Sequence, residues 1–434
     1  MVNLRRKYPR FVYRDFSWKI QGQNLVIFFD FRIPPDFQFS PKIVIENVSR
    51  KMVHRLGQGI IDNFVFNLGL IEMFSYWKLV CAPEIIVEAG DLNKEQIRWW
   101  QDLLIKGMGQ YFFENKINFR QKDFLKITSR VIKTKQYQKA TIVAKQYRIE
   151  SRFLVPLGGG KDSIVTLELL KGAGKETSCF CLNPSEAVKE ITKIGNCQES
   201  IIVRRQIDPL LLKLNQQGFL NGHTPFSALL AFLSSFCAVL FGYKYIAFSN
   251  ERSANEGNVN YLGREINHQY SKSFEFEQKF RRYCVKYLAS ELEYFSFLRP
   301  LYELQIAKLF SQYPKYFNAF SSCNRYQAGK SNGKKWCGQC PKCLFVFVSL
   351  YPFLGEKRTT EIFSKNLFSD KKLLPIMQQL TGERGFKPFE CVGTVKETKA
   401  ALTRGRRMEK IMRSWSNRHN LPLSLTKILK GHIR

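Results

Sequence analysis

The chain has 434 residues, enough for two or three domains, and 44% of them are hydrophobic, which supports real hydrophobic cores. Its formal net charge is +32, and its isoelectric point is near 9.8. Such a charge fits a nucleic-acid partner, a polyanionic small substrate together with ATP, or a general enrichment in lysine, and by itself it excludes none of the three.

The N-terminus and the cysteines bear on the cell compartment. The first residues, MVNLRRKYPRF, are charged but contain no apolar run, so we expect no export signal. The chain has 11 cysteines, an odd number. We therefore expect a cytoplasmic protein whose thiols are reduced, with one metal site among them.

The first region, residues 1–140, is predicted to be an α+β domain. Two strand-like runs, FVYRDFSWKI and NLVIFFDFRI, flank the turn residues QGQN at 21–24 and predict a β-hairpin. Helical patterns follow at 60–80 and 96–113. The polar and basic stretch 134–151 is interpreted as the join to the next domain.

Residues 150–320 alternate strand and helix patterns, which predicts an α/β domain with a doubly wound parallel sheet and ligands at the carboxyl ends of its strands. The uncharged segment 224–243 has nearly the length of a membrane span. Its Thr-Pro start, its central serine pair and the strand after it favour a buried crossover helix. The candidate strands are FLVPL from 153, TSCFCL from 177, ESIIVRR from 199 and YIAFS from 245.

The stretch 153-FLVPLGGGKDSIVTLELL-170 joins a buried strand to a helix through three consecutive glycines. Glycines allow a tight turn and a close approach of the backbone to a ligand. The helix that follows points its N-terminal amide groups and positive dipole end at the turn. Lys161 adds a positive charge and Ser163 a hydroxyl donor, so the pattern predicts an oxyanion site, whereas one glycine would suffice for a structural turn.

Two common phosphate motifs do not fit this loop. A Walker A loop fails because Asp162 follows Lys161 and position 155 is valine, and a dinucleotide fingerprint needs glycines that are spread out. The segment instead resembles the pyrophosphate loop of the PP-loop ATP pyrophosphatases, written Ser-Gly-Gly-x-Asp-Ser, with glycine in place of the first serine. The resemblance implies a PP-loop fold that binds ATP and Mg²⁺. In it, Lys161 neutralises the pyrophosphate, Asp162 organises Mg²⁺, and the cradle consists of Gly158, Gly159, Gly160 and Ser163.

Two later segments also carry polar clusters. The long polar loop 249–277 follows the last candidate strand, and its place beside the predicted site favours a function. The third region, residues 321–434, is predicted to be helical and rich in cysteine. Its thiols could bind a structural zinc ion or an iron–sulfur cluster, or two of them could form a Cys-x-x-Cys redox pair. Of these three, we expect the zinc site. The proposed zinc ligands are Cys323, Cys337, Cys340 and Cys343.

Several segments together resemble one family, the UDP-N-acetyl-alpha-D-muramoyl-L-alanyl-L-glutamate epimerases of bacterial cell-wall (peptidoglycan) synthesis. They are GLIEMFSYWK (69–78), QIRWWQDLLIKGMGQYFFEN (96–115), PLGGGKDS (156–163), SNERSANEGN (249–258), NHQYSKSFEFE (267–277), WCGQCPKCLFVF (336–347) and GFKPFECVGT (385–394). The resemblance implies ATP-dependent inversion of the terminal L-glutamate of a UDP-linked muropeptide to D-glutamate, with release of AMP and pyrophosphate.

That activity explains a pyrophosphate loop in an epimerase. The α-proton beside an ionised carboxylate is very weakly acidic, and adenylation of the α-carboxylate removes the opposing charge. A base then removes the proton and an acid returns it to the other face. The leading candidates for these roles are His268 and His223, followed by Glu251, Tyr270, Lys272 and Cys391.

Other charged residues have weaker assignments. Lys272, Arg252 and Lys387 could bind a substrate carboxylate or diphosphate, and Glu251 and Glu275 could bind metal or be surface charges. Two alternative functions stay open at this point. One is a PP-loop enzyme that modifies RNA or a nucleobase, and the other is a zinc-stabilised RNA-binding protein with a degenerate loop. The oligomeric state is not predicted.

Overall fold

The structure, a computed structural model, describes residues 2–130, 150–197, 199–403 and 405–433. It is a mixed α/β protein built around one large sheet of 11 strands, with a separate two-stranded hairpin. In chain order the strands are β1 (Arg10–Gln21), β2 (Asn24–Ile33), β3 (Phe37–Phe39), β4 (Lys42–Ile45), β5 (Glu84–Val87), β6 (Lys126–Ser129), β7 (Glu150–Pro156), β8 (Thr177–Leu182), β9 (Ile201–Gln206), β10 (Tyr243–Phe248), β11 (Val259–Tyr261), β12 (Arg264–Ile266) and β13 (Glu293–Ser296).

Helices cover the sheet and make up most of the chain after β13. In chain order they are α1 (Val2–Lys7), α2 (Arg50–Leu56), α3 (Gln58–Glu72), α4 (Phe74–Trp77), α5 (Lys94–Gly107), α6 (Gly109–Glu114), α7 (Lys161–Gly172), α8 (Glu186–Ile194), α9 (Pro209–Gln216), α10 (Phe226–Phe241), α11 (Phe274–Tyr283), α12 (Glu303–Phe310), α13 (Asn324–Gln327), α14 (Pro341–Phe363), α15 (Leu374–Leu380), α16 (Val395–Thr403), α17 (Arg406–Met412) and α18 (Leu423–Gly431).

The large sheet is mostly parallel. Its strand order is β13-β10-β7-β8-β9-β4-β2-β1-β5-β6, with β3 paired to β2. The strands from β13 to β9 run parallel, as do β1, β5 and β6, while β2 pairs antiparallel with its neighbours. The predicted α/β class is therefore confirmed at this level.

The five strands after residue 150 have the order that places a ligand site. Numbered along the chain, β7, β8, β9, β10 and β13 lie in the order 3-2-1-4-5, read from β9 to β13. The order reverses between β7 and β10, and in open α/β sheets the crevice at the carboxyl ends of such strands binds ligands. The glycine loop follows β7 and the polar loop follows β10, so both lie at this switch point.

The N-terminal region is joined to these strands through the sheet itself. The predicted hairpin is confirmed as β1 and β2, paired from Gln21–Asn24 outward. Strand β4 pairs antiparallel with β9, for example Val44 with Arg204, so one sheet runs through both regions. The proposed division into three domains stays a prediction, and most of the predicted join at 134–151 lies outside the described residues.

Segment 224–243 forms α10 and is buried, as the sequence favours. Its side chains pack into the larger hydrophobic core together with α3 and α5. Within the part of the chain that the structure describes, no helix combines the length and the apolar character that a membrane crossing requires.

One expectation about the cysteines is wrong. The sequence favours reduced thiols throughout, but the structure joins Cys179 on β8 to Cys197 after α8 by a disulfide. Helix α8 returns the chain to β8, so that the two Cα atoms lie 6.0 Å apart, which is within the range that a disulfide spans. The other nine cysteines are not part of a disulfide.

Candidate active site

A cavity of about 500 Å³ opens at the switch point of the sheet. We call it the glycine-loop cavity, because the loop after β7 forms part of its wall. Its volume lies in the range of small-molecule sites. The residues that carry chemistry in its wall are Gly158, Gly160, Asp162, Ser163, His223, His268, Lys272, Lys342 and Cys391. Loops after β7 and β10, the first turn of α14 and the segment before α16 thus meet at one place.

The glycine loop is tightly packed at two of its three glycines. Gly159 has φ +87°, and a Cβ there would lie 3.0 Å from the carbonyl oxygen of Ser321. A Cβ at Gly160 would lie 3.3 Å from Cβ of Ser322, whereas Gly158 faces open space and has room for a serine. Among the residues that the structure describes, no side chain caps the amide groups at the start of α7. These amides are therefore free for an anion, as expected for a phosphate-binding loop.

Three carboxylates, of which Asp162 is partly exposed and the other two are buried, meet beside the glycine loop. Asp162 comes from the first turn of α7, Glu251 from the loop after β10 and Glu303 from the start of α12, and their oxygens lie within 4.8 Å of one another. Lys161 contacts both Asp162 and Glu303, and its side chain is 2% exposed. Lys161 is not among the residues that line the cavity, so its ammonium group holds the carboxylate cluster together.

Burial and charge act against each other in this cluster. Burial would lower the pKa of Lys161, but Asp162 and Glu303 outweigh it and hold that pKa above its ordinary value. Burial would raise the pKa of Asp162, but Lys161 and Lys342 hold it below its ordinary value. Burial raises the pKa of Glu251 and of Glu303, and the charge of Asp162 adds to both. Asp162 is therefore the carboxylate held most firmly in its charged form.

Two further lysines balance the charge of the carboxylates. Burial lowers the pKa of Lys272, but the neighbouring Cys391 and Glu251 outweigh it and raise that pKa above its ordinary value. Nζ of Lys342 lies 3.8 Å from Oε1 of Glu303 and donates a hydrogen bond to the carbonyl oxygen of Cys391. Both lysines line the cavity, so a fixed positive charge faces any anion that enters it.

The carboxylate cluster fits a magnesium ion. Carboxylate oxygens are the ligands that Mg²⁺ prefers in proteins, and Asp162, its predicted ligand, lies beside Glu251 and Glu303. Lys161 already contacts two of these groups, so a cation would share them with its ammonium group. The binding of Mg²⁺ stays a prediction.

His268 and Cys391 form a second reactive group in the cavity wall. Nε2 of His268 lies 3.9 Å from Sγ of Cys391, and Nδ1 lies 2.5 Å from Oε1 of Gln110. An amide oxygen only accepts hydrogen bonds, so Gln110 selects the tautomer with its proton on Nδ1. Nε2 then faces the thiol as an acceptor. The ring of His223 lies 4.3 Å from that of His268.

Both histidines are held in the neutral form. Burial, followed by the charge of Lys272, lowers the pKa of His268 to about 4. Burial and the neighbouring His268 lower the pKa of His223 well below its ordinary value. Neutral imidazole accepts hydrogen bonds, but a pKa of about 4 makes it a weak proton acceptor at neutral pH, so His268 orients the thiol of Cys391, which is the candidate base of the pair.

Comparison with known proteins shows the family of this chain. A family model described as the MurL N-terminal domain matches residues 2–297, and one described as the MurL C-terminal domain matches residues 319–420. A relative from Xanthomonas oryzae pv. oryzae is 34% identical over 337 residues, which cover 77% of this chain and 72% of the relative. A relative from Micromonospora sp. is 35% identical over 337 residues, covering 77% and 73%. Both are named UDP-N-acetyl-alpha-D-muramoyl-L-alanyl-L-glutamate epimerase.

The chain belongs to this epimerase family. The resemblance seen in the sequence segments is therefore confirmed. The N-terminal family match contains the glycine loop, Glu251 and His268, and the C-terminal match contains Lys342 and Cys391. Glu303 lies between the two matched ranges.

The four predicted metal ligands of this epimerase-family chain come together. The sulfur atoms of Cys323, Cys337, Cys340 and Cys343 all lie within 4.8 Å of one another. Cys343 lies 3.7 Å from Cys337 and 3.5 Å from Cys340, sulfur to sulfur. Sulfurs around a tetrahedral zinc ion at a Zn–S distance of about 2.3 Å are separated by roughly 3.8 Å. The set therefore fits zinc, whose presence stays a prediction.

The cysteine cluster is joined directly to the active site. Cys340 caps α14, and Lys342 lies between Cys340 and Cys343. The backbone amide of Lys342 donates to Glu390, and its ammonium group donates to the carbonyl oxygen of Cys391. The conformation of the cluster therefore positions a lysine and a thiol of the glycine-loop cavity.

Loss of zinc is expected to abolish turnover although no cluster cysteine lines the cavity. In Cys343→Ser the metal content should fall from about one ion per chain to near zero. The free energy of unfolding should fall as well, because structural zinc contributes directly to folding. Metal analysis, chemical unfolding and AMP release measure the three effects. Cys237→Ser, which alters a buried thiol in α10, is the control. Full metal content and full activity in Cys343→Ser would contradict this link.

A buried ion pair holds the backbone of two site residues, Glu251 and Lys272, in place. Arg299 pairs with Glu277 at 3.1 Å, and each side chain is 1% exposed. Arg299 also donates to the backbone carbonyl oxygens of Glu251 at 2.8 Å and of Lys272 at 2.5 Å. One guanidinium group therefore fixes the two segments that carry these side chains.

Breaking that pair should destabilise the protein strongly. Arg299→Met leaves the Glu277 carboxylate buried without its partner, which costs about 3–5 kcal/mol of unfolding free energy. Chemical denaturation measures the loss. The double variant Arg299→Met/Glu277→Leu removes both charges and should recover part of it. A single variant as stable as the wild type would refute the structural role of the pair.

Several predicted residues lie outside the glycine-loop cavity. Tyr270 and Arg252 line a second cavity. Glu275 is exposed and pairs with Lys106 and Lys279, both at 2.6 Å. Lys387 is buried and pairs with Glu256 at 3.2 Å. Glu251 lies in the carboxylate cluster and not in the cavity wall. Ser163 does line the glycine-loop cavity, and its hydroxyl donates to the carbonyl oxygen of Gly160 at 3.0 Å.

Sequence reasoning did not find three residues of the site. Glu303 begins α12 in the segment ELQI, which carries no motif. Gln110 lies between two aromatic helical turns and gives no local signal. Lys342 lies inside WCGQCPKC, and the interpretation of that segment considered only its cysteines. The signal that could have identified Lys342 is its position between two predicted metal ligands at the start of a helix.

Proposed function

We propose that this protein inverts the terminal L-glutamate of UDP-N-acetylmuramoyl-L-alanyl-L-glutamate to D-glutamate at the expense of ATP. The observation that carries the proposal is the convergence of an uncapped glycine loop and a Cys391–His268 pair in one cavity. The family membership supplies the substrate class, since the relatives are named epimerases of this muropeptide.

The first step proposed is adenylation of the substrate. An oxygen of the glutamate α-carboxylate attacks the α-phosphorus of ATP, and the bond to pyrophosphate breaks. In this proposal the amides at the start of α7 bind the phosphate groups together with Lys272 and Lys342; their uncapped state and the position of the lysines in the cavity wall support it. A magnesium ion held by Asp162, Glu251 and Glu303 would neutralise further phosphate charge.

The second step proposed is proton transfer at the α-carbon. The adenylated carboxyl group no longer carries a negative charge, so the proton beside it is more acidic. The thiol of Cys391 loses its proton to solvent, and the thiolate, oriented by Nε2 of His268, removes the α-proton so that an enolate forms. Return of a proton to the opposite face inverts the centre. Water then attacks the carbonyl carbon of the mixed anhydride, and AMP leaves with the bridging carboxylate oxygen. The ammonium groups of Lys272 and Lys342 are the proton donors that this cavity offers besides the pair.

The test is turnover with three products followed at once. Purified protein is incubated with ATP, Mg²⁺ and the muropeptide, and AMP, pyrophosphate and glutamate chirality are measured. Substrate-dependent AMP with D-glutamate supports the proposal. AMP without inversion would keep the ATP chemistry and discard the epimerisation. The absence of AMP would refute it and return attention to the two RNA-related alternatives.

A further inference from the structure

A second cavity, of about 630 Å³, lies next to the glycine-loop cavity. We call it the arginine cavity, because Arg252, Arg264 and Arg418 line it together with the aromatic residues Tyr270 and Tyr302. The guanidinium group of Arg252 lies 4.4 Å from the ring centre of Tyr302 and donates to Ser414. The proposed chemistry of ATP and glutamate uses none of these side chains.

The arginine cavity carries an excess of positive charge. Its other charged residues are paired: Lys106 with Glu275, Glu256 with Lys387 and Arg299 with Glu277. Within the described part of the chain, no carboxylate pairs with Arg252, Arg264 or Arg418, and Glu265 is the one lining carboxylate without an ion pair. Three guanidinium groups that lack a carboxylate partner, against one carboxylate, leave a net positive charge, which suits an anion with two phosphates.

The two cavities share a wall. Along one segment, Asn267, Tyr270 and Ser273 line the arginine cavity, while His268, Gln269, Ser271 and Lys272 line the glycine-loop cavity. The loop after β10 also lies between the two cavities: Asn250 lines the glycine-loop cavity, and Arg252 lines the arginine cavity. Single chain segments therefore separate the proposed reaction centre from a cationic site with aromatic side chains.

We propose that the arginine cavity binds the nucleoside diphosphate end of the substrate while its glutamyl end lies beside Cys391. This inference rests on the proposed function. A sugar and an alanine separate the diphosphate from the glutamate, so both ends do not fit one site. A diphosphate esterified at both ends carries one negative charge on each phosphate, which matches the excess of arginines. Tyr270, Tyr302 and the arginine planes offer faces for a nucleobase.

Direct binding of UDP tests this assignment without turnover. UDP is titrated calorimetrically into protein saturated with a non-cleavable ATP analogue, which blocks the glycine-loop cavity. The variant Arg264→Ala/Arg418→Ala removes two exposed guanidinium groups and leaves the partly buried Arg252 in place. It should weaken UDP binding by about tenfold or more. The control, Arg50→Ala, alters an exposed arginine at the start of α2, which lines neither cavity.

Steady-state kinetics complete the test. In the double variant, KM for the muropeptide should rise by about tenfold or more, while KM for ATP stays within about twofold of the wild type. Wild-type protein that does not bind UDP, or a double variant with unchanged UDP binding and KM, overturns the inference. Failure of the proposed function looks different: the wild type makes no AMP with the muropeptide, whatever the UDP titration gives.

Discussion

Replacing Asp162 by asparagine is expected to reduce muropeptide-dependent AMP formation by about 10³-fold. Asparagine keeps the shape of the side chain and removes its charge. Asp162 is the carboxylate of the three-carboxylate cluster that is held most firmly ionised, and it lies in the wall of the glycine-loop cavity. Without it, one fewer carboxylate is available to organise a cation beside the phosphates.

The comparison for this variant is Asp370→Asn. Asp370 also forms an ion pair, with Lys365 at 2.9 Å. It belongs to the helical C-terminal region and lines neither cavity. AMP is measured by chromatography, and chemical unfolding shows whether each variant is folded. A folded Asp162→Asn protein that makes AMP at the wild-type rate would remove Asp162 from the reaction.

Replacing Cys391 by alanine should separate adenylation from inversion. Loss of a general base reduces proton transfer by roughly 10²–10⁴-fold. Binding of ATP depends on the glycine loop and the lysines, which the variant leaves intact. Exchange of labelled pyrophosphate into ATP, with muropeptide present, should therefore continue, while the appearance of D-glutamate and the uptake of solvent deuterium at the α-carbon are lost.

The matched variant is Cys237→Ala, which removes a buried thiol from α10. It should retain both half-reactions. A third variant, Gln110→Leu, removes the acceptor on Nδ1 of His268 and should slow inversion less than Cys391→Ala, because Gln110 acts only through the histidine. Wild-type rates of deuterium uptake in Cys391→Ala would show that the thiol is not the base.

Local patterns predicted much of the fold. The turn residues at 21–24 and the alternating runs beside them predicted the β1–β2 hairpin, and the four candidate strands after residue 150 correspond to β7 to β10 within about three residues at each end. The pairing of β4 with β9 was not predictable. It joins segments more than 150 residues apart, and nothing in either short strand specifies its partner.

The candidate site shows the same division. The glycine loop was recognisable because glycine, lysine and serine occur together in a short window. Glu303 and Gln110 reach the site through tertiary packing alone, so no local pattern marks them. Lys161 was predicted to neutralise pyrophosphate, but a buried ammonium group requires a counter-charge, and it contacts Asp162 and Glu303. Charge balance in the interior is not visible from the sequence.

The most direct test of the account follows one oxygen atom. Muropeptide labelled with ¹⁸O in the glutamate α-carboxylate is converted in the presence of ATP and Mg²⁺, and AMP is analysed by mass spectrometry. The account predicts ¹⁸O in the phosphate of AMP and D-glutamate in the product, with no transfer from a label in the γ-carboxylate. Inversion without label in AMP, or transfer from the γ-carboxylate, would contradict it.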